Sequence, residues 1–255
     1  MRPGRAPLLE LFLAFAALGA LVVLLAGAGP ADEEADALLA RLSARLADAP
    51  FAAAADLTIT RPGRAERTML LRISHAPPDR WLLAVDGRVR EKGMRLLLTD
   101  GRAHVWFPKA ELVLELPTGD GGERLLGSDF ALGDLLVLAE ARERFDATVT
   151  GRGAEEGVRL VTLALRPRAS GAADDGSHVR LTLVEQNAAP WELAFVDGDG
   201  AVVRRLRFEG SGPLPDRWTA DDPRRPGARS SLQVRSFDPA PRFHDAVFTV
   251  EGLRR

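Results

Sequence analysis

Apolar and polar positions alternate along most of this chain, and the period of the alternation marks its elements. In residues 33–48, "EEADALLARLSARLAD", Leu38, Leu42 and Leu46 recur every four positions with Ala35 and Leu39 beside them. That spacing lines one face of a helix. Glu33, Glu34 and Asp36 suit its first turn, and Pro50 ends it. From residue 56 the period becomes two. "RTMLLRIS" puts Met69, Leu71 and Ile73 on one face, and "RWLLAVD" does the same for Trp81, Leu83 and Val85. Asp100-Gly101 inside 94–107 and "VDGDGA" at 196–201 are hairpin turns, because Asp-Gly tolerates the positive φ a tight turn needs. Counted as runs, the pattern gives about eleven strands at roughly ten-residue spacing. It is broken once, at "ERLLGSDFALGDLL" (123–136), by an apolar segment of helical character.

These signals predict a mainly β chain with helices, an α+β architecture. The expected form is an incomplete, strongly curved antiparallel barrel with one wet and one buried face. Two helices are available to cover its concave apolar side. The pieces 117–122, 169–177 and 221–227 are short and rich in Gly, Pro or Asp, so they read as loops within a single domain over 32–255. Residues 1–31 differ. "MRPGR" precedes an apolar run closed by small residues at Ala26-Gly27-Ala28 and Gly29-Pro30-Ala31. This predicts a signal peptide or an N-terminal membrane anchor, with the rest of the chain outside the cytoplasm.

Composition narrows the chemistry. The 255 residues include no cysteine, which removes disulfides, thiolate metal sites and a lipidated N-terminal cysteine. A net charge of −2 gives no electrostatic footprint for nucleic acid. His75, His104, His178 and His244 are scattered and form no metal-binding pair. Ser128 does not sit in a G-x-S-x-G elbow, and Asp197 to Gly200 lacks the later glutamate of a calcium loop. No cofactor, metal site or catalytic constellation is expected, so the chain reads as a non-enzyme. The residues that stand out are apolar, and Trp81, Trp106, Phe130, Trp191 and Phe195 punctuate the pattern.

The stretch from Gly93 through Leu96, Leu97, Trp106, Phe107 and Pro108 to Gly127-Ser128-Asp129-Phe130, Asp134 and Leu135 resembles the outer-membrane lipoprotein-sorting, LolA/LolB-like family. The "WELAFVDGDGAVVRRLRF" hairpin, "LPDRWTADDPRRPGARSSLQVRSF" and the closing "FHDAVFTVEGL" resemble later parts of that family, in the same order. The resemblance implies a half-barrel lidded by helices and a periplasmic carrier of lipid-bearing cargo in a Gram-negative-type envelope. In it, Gly127 would release the chain from the strand and Ser128 or Asp129 would cap a lid helix over 130–144. Phe130, Leu132, Leu135, Leu136 and Leu138 would form that helix's apolar face. The lid motif is then Gly127, Ser128, Asp129, Phe130 and Asp134. The lipid-cavity candidates are Leu38, Leu42, Leu71, Trp81, Leu83, Leu97, Trp106, Phe130, Leu135, Leu136, Trp191 and Phe195.

A carrier has a physical reason to exist. Moving a sixteen-carbon chain through water costs about 12 kcal/mol, at about 0.8 kcal/mol per CH₂. The implied partners are acyl lipid or lipoprotein cargo and an inner-membrane transporter or outer-membrane acceptor, with the carrier a monomer. Two departures widen the choice of cargo to phospholipid, glycolipid or polyketide lipid. The family's Ser-Tyr-Glu is Ala131-Leu132-Gly133 here, and the usually basic stretch after Pro108 reads "KAELVLELPTGDGGE". Arg72, Arg80, Arg88 and Arg90 are candidates to meet a head group. The alternative function is a non-catalytic envelope β module acting through protein partners or as a transporter accessory.

Overall fold

The computed structural model describes residues 32–87, 89–116, 124–131, 133–168, 176–210 and 212–254, with the side chains at 47, 135 and 136 also outside the description. The expected signal or anchor segment, 1–31, lies outside the described residues, as do Arg88 and Leu132.

Helix α1 spans Glu33–Ala47. One oxygen of Asp32 caps it by accepting the Ala35 N–H at 3.1 Å, and the other accepts the N–H of Val149 at 2.7 Å. The Val149 bond, then the Ala35 bond, lower the carboxyl below its ordinary value. Ala35, Leu38, Leu39, Leu42 and Leu46 are buried, as the four-residue spacing requires. Each large side chain so buried contributes about 1.5–3 kcal/mol.

Two meanders follow. The first is β1 (Phe51–Thr60), β2 (Arg67–Ala76), β3 (Arg80–Asp86), β4 (Arg95–Thr99), β5 (Arg102–Phe107) and β6 (Leu112–Leu116). The second is β7 (Phe145–Glu155), β8 (Val158–Pro167), β9 (His178–Val184), β10 (Pro190–Val196), β11 (Val202–Glu209), β12 (Arg217–Asp221) and β13 (Arg229–Asp238). They form one antiparallel sheet in the order β6-β5-β4-β3-β2-β1-β13-β12-β11-β10-β9-β8-β7. The first and last strands pair at its centre, with Leu57 opposite Leu232. The eleven runs of the sequence become thirteen strands because two of them are hairpins. Asp100 and Gly101, at φ 51° and 68°, make the turn between β4 and β5.

The sheet does not close, and it leaves β6 and β7 as its edges. The register shifts within β1, β7 and β10, and such bulges bend and twist a sheet. The segment between β6 and β7 must travel from one edge to the other. Its described residues from Arg124 onward lie on the buried face, where they form α2 (Asp134–Ala139) and α3 (Ala141–Arg144). Val137, Leu138 and Ala141 join the same core as α1 and the inward residues of nearly all the strands. The expected single lid helix over 130–144 is therefore shorter and broken. It starts at Asp134 and is interrupted at Glu140.

The opposite face carries a second, smaller core. Short 3-10 turns at Asp245–Phe248 and Gly252–Arg254 lay Phe248 and Leu253 over Ala76 and Leu97. Arg80 fixes this strap, bonding Asp245 at 3.0 Å with its guanidinium 5.3 Å from the Phe248 ring centre.

Candidate functional site: an apolar cavity under an anchored loop

The chain returns from the β6 edge at Arg124, which forms an isolated antiparallel bridge with Ala131. Leu125 N–H donates to the Phe130 carbonyl at 2.8 Å, closing a tight loop. Two consecutive residues in it, Leu126 (φ 53°) and Gly127 (φ 76°), are left-handed. Glycine adopts that conformation freely, whereas Leu126 is strained by about 1–2 kcal/mol. The surrounding hydrogen bonds must over-determine the loop to hold it there.

Two buried carboxylates supply that restraint. Asp129 is fully buried and accepts from Arg61 Nη1 at 2.8 Å and from Ser230 Oγ at 2.8 Å. Its own N–H donates to Ser230 Oγ at 2.9 Å. Arg61 also donates to the Gly127 carbonyl at 2.9 Å, and Arg124 Nη1 approaches Asp129 Oδ1 at 3.5 Å. The loop is thus fastened to the end of β1 and to β13. Asp134 accepts the Ala131 N–H at 2.7 Å and pairs with Arg204 of β11 at 2.8 Å. The Arg204 guanidinium in turn lies 3.8 Å from the Phe195 ring centre. Burial raises the Asp134 carboxyl to about 6, against the opposing pull of Arg204 and the Ala131 N–H.

Ser128 and Asp129 do not cap the helix as expected. Ser128 Oγ accepts the N–H of Phe130 at 3.2 Å, Asp129 holds the loop to the sheet, and Asp134 serves the start of α2. Five residues separate the Gly-Ser pair from the helix, so a cap at Ser128 has no first turn to reach.

Beneath this loop lies a cavity of about 390 Å³. Leu71, Leu83, Val85, Leu96 and Val105 form its floor, Leu114 and Leu116 of the edge strand one wall, and Leu125, Leu126 and Gly127 its roof. Leu83, Leu96 and Leu125 also line a deeper void of about 40 Å³ bounded by Trp81, Phe130, Asp134 and Trp218. The larger space is within the size range of small-molecule sites, and its walls are overwhelmingly apolar. Leu112 and Leu114 are 47% and 41% exposed at the outer lip.

The expected cavity residues divide by location. Leu71 and Leu83 line the larger cavity, and Trp81, Leu83 and Phe130 the smaller. Leu38, Leu42 and Phe195 are buried in the solid part of the core and touch neither. Leu97 and Trp106 are on the opposite face, under Phe248 and Leu253. The strand period explains this, since Leu96 and Leu98 already take the inward positions of β4. Trp191 also leaves the core. A register shift between Pro190 and Glu192 turns it outward, and its Nε1 donates to Glu155 at 3.2 Å. The side chains of Leu135 and Leu136 lie outside the described residues.

Of the arginines expected near a head group, Arg72 pairs with Asp86 on the outer face and Arg80 holds the strap. The residues that do organise the mouth are Arg61, Arg124, Arg204 and Ser230. They carry no local sequence signal, because Arg61 meets Asp129 across 68 positions and Ser230 meets it across 101.

Solved structures share this architecture. A LolA superfamily protein from Nitrosomonas europaea superposes with a TM-score of 0.70 at 16% identity, covering 86% of this chain and 98% of its own. A domain from Vibrio parahaemolyticus described as outer membrane lipoprotein-sorting gives 0.72 at 16% identity, covering 88% and 99%. A DUF1329 family protein from Desulfovibrio piger gives 0.73 at 16% identity, covering 89% and 100%. No curated protein matches by sequence. A family model described as "-like: Uncharacterized protein" matches residues 78–255. The chain therefore belongs to that family, and its fold, a half-barrel closed by a crossing helical segment, is LolA-like.

Proposed function

We propose that this protein is a periplasmic carrier that shields the acyl chain of a lipid or lipoprotein and delivers it toward the outer membrane. The observation that carries this reading is the cavity of about 390 Å³ between the curved sheet and the loop 124–131. A packed protein interior rarely leaves apolar space larger than a water molecule. Apolar surface left facing water in a recess of this size costs stability unless something covers it. A guest with apolar methylenes fills it without leaving polar groups unpaired. The exposed Leu112 and Leu114 continue the apolar wall to the surface and give the guest a way in across the β6 edge.

Delivery requires release. The loop that roofs the cavity holds a strained residue, Leu126, and is tied down by a few charge-assisted bonds through Asp129. A partner that breaks those bonds lowers the affinity for the guest, because the roof is part of the binding surface. The LolA-like fold and the outer membrane lipoprotein-sorting description of a structural neighbour support the choice of cargo class and compartment. An inner-membrane donor and an outer-membrane acceptor are the partners this reading needs.

Titration with a fluorescent fatty-acyl probe tests it. Binding to wild type and its loss on Val105→Trp, which fills the floor of the cavity, are expected. Equal binding by the two proteins would place the guest elsewhere.

A further inference from the structure

The carrier reading leaves the head of the cargo unspecified, and the following rests on that reading. The cavity wall is apolar except for Arg124 and Arg95, which take part in the lining. Arg95 is committed elsewhere. Its Nη1 donates to the carbonyls of Gly252 and Leu253 on the outer face, at 3.3 Å each. Arg124 is different. Its side chain is one-third exposed, and its Nη1 donates to the Asp129 carbonyl at 3.2 Å. The remaining N–H groups of its fork have no hydrogen-bond partner among the described residues.

The charges at this point do not balance among the described residues. Asp129 is one carboxylate facing two guanidinium groups. Arg61 holds it tightly at 2.8 Å, while Arg124 stands off at 3.5 Å. Arg61 and Ser230 hold the second oxygen, and Arg124 stands beside the first through Nη1 alone. The rest of its guanidinium stands where an apolar cavity meets water. A guanidinium there presents a planar set of donors that matches the oxygens of a phosphate. An acyl lipid lying in the cavity would bring its head to this rim.

We propose that Arg124 reads the head of the cargo, so that the cavity takes an acyl lipid with a phosphate head in preference to a neutral one. The acyl chain supplies most of the affinity and Arg124 the selection. Two charge-assisted hydrogen bonds at a partly exposed rim are worth roughly tenfold in affinity. That preference falls as salt is raised, because the rim is open to counterions.

The test is displacement of a pyrene-labelled fatty alcohol from the full chain by palmitoyl lysophosphatidate or by monopalmitoylglycerol. Wild type is expected to favour the lysophosphatidate by roughly tenfold. Arg124→Gln is expected to bring the two lipids to near equality, read as the ratio of their affinities within the variant. Arg124→Lys, which keeps the charge without the fork, is expected to keep part of the preference. Inorganic phosphate alone is expected to leave the probe bound, and displacement by it would overturn the assignment to a lipid. Equal displacement by both lipids in wild type, or an undiminished preference in Arg124→Gln, would overturn the head-group role and leave the carrier reading standing. Failure of the probe and both lipids to bind wild type would overturn both.

Discussion

Removing Asp129 should unfasten the roof of the cavity before it unfolds the protein. In Asp129→Ala, Arg61 loses a 2.8 Å partner and Ser230 loses the acceptor of its hydroxyl. Breaking a buried ion pair from one side costs about 3–5 kcal/mol. Arg61 is 21% exposed and can recover some hydration, which brings the cost to about 2–3 kcal/mol. Arg61→Ala leaves the opposite orphan, a buried carboxylate with Arg124 at 3.5 Å and Ser230 as its remaining partners. The double variant should therefore cost less than the two single losses together, with a coupling of about 1.5–3 kcal/mol. Urea unfolding of the four proteins gives this cycle. Hydrogen exchange locates it, because the Leu125 and Phe130 amides should lose protection in both single variants while β8 and β9 keep theirs. A coupling below about 0.5 kcal/mol, within the scatter of independent sites, would refute the view that this pair holds the loop to the sheet.

Other outcomes follow from the same geometry. Two carboxyls give pH dependences of opposite sign. Asp134 is raised by burial to about 6, so its contribution to stability is present below 3.8 and is lost as pH rises through 6. The difference in urea midpoint between wild type and Asp134→Asn should thus change between about pH 4 and 6.5, and a flat difference would contradict the assignment. Burial alone would raise Asp222, but Arg224, through its side chain and N–H, and Arg225 outweigh it and hold the carboxyl at about 2. Its contribution is present above 3.8 and lost as pH falls toward 2, which Asp222→Asn should abolish in acid unfolding curves. Gly252→Ala places a Cβ 2.1 Å from the Ala246 carbonyl oxygen, so the C-terminal strap must shift. A loss of about 2–3 kcal/mol with a change in Trp106 fluorescence is expected, and an unchanged midpoint would show that the strap adapts. Leu114→Asp should leave stability within about 0.5 kcal/mol, since the side chain is already 41% exposed. It should weaken acyl-probe binding by about fivefold, and undiminished binding would remove the β6 lip from the route.

The sheet was legible in the sequence because its signal is local and repeated. Leu57, Met69, Leu71, Leu83 and Leu163 each follow from a period of two read over a few neighbours, and α1 follows from a period of four. Which apolar residues border space and which fill it was not legible. Leu42 and Leu71 look alike in sequence, yet one points from α1 into the solid core and the other faces the cavity. That depends on how far the crossing segment stands from each strand. Leu97 and Trp106 misled for a second reason. Both faces of β4 and β5 are apolar, because the C-terminal strap covers the outer one. The anchoring of Gly127 to Asp134 depends on Arg61, Arg204 and Ser230, whose distance along the chain hides them from any window-based pattern.

The most direct test of the account is native mass spectrometry, with lipid extraction, of the protein purified gently from an envelope fraction. Wild type is expected to carry a co-purifying acyl lipid with a phosphate head, and Phe130→Asp, which puts a charge beside Trp81 and Trp218 in the deeper void, is expected to lose it. A wild-type protein that emerges empty and also refuses fluorescent acyl probes would contradict it, leaving the LolA-like fold without the carrier function.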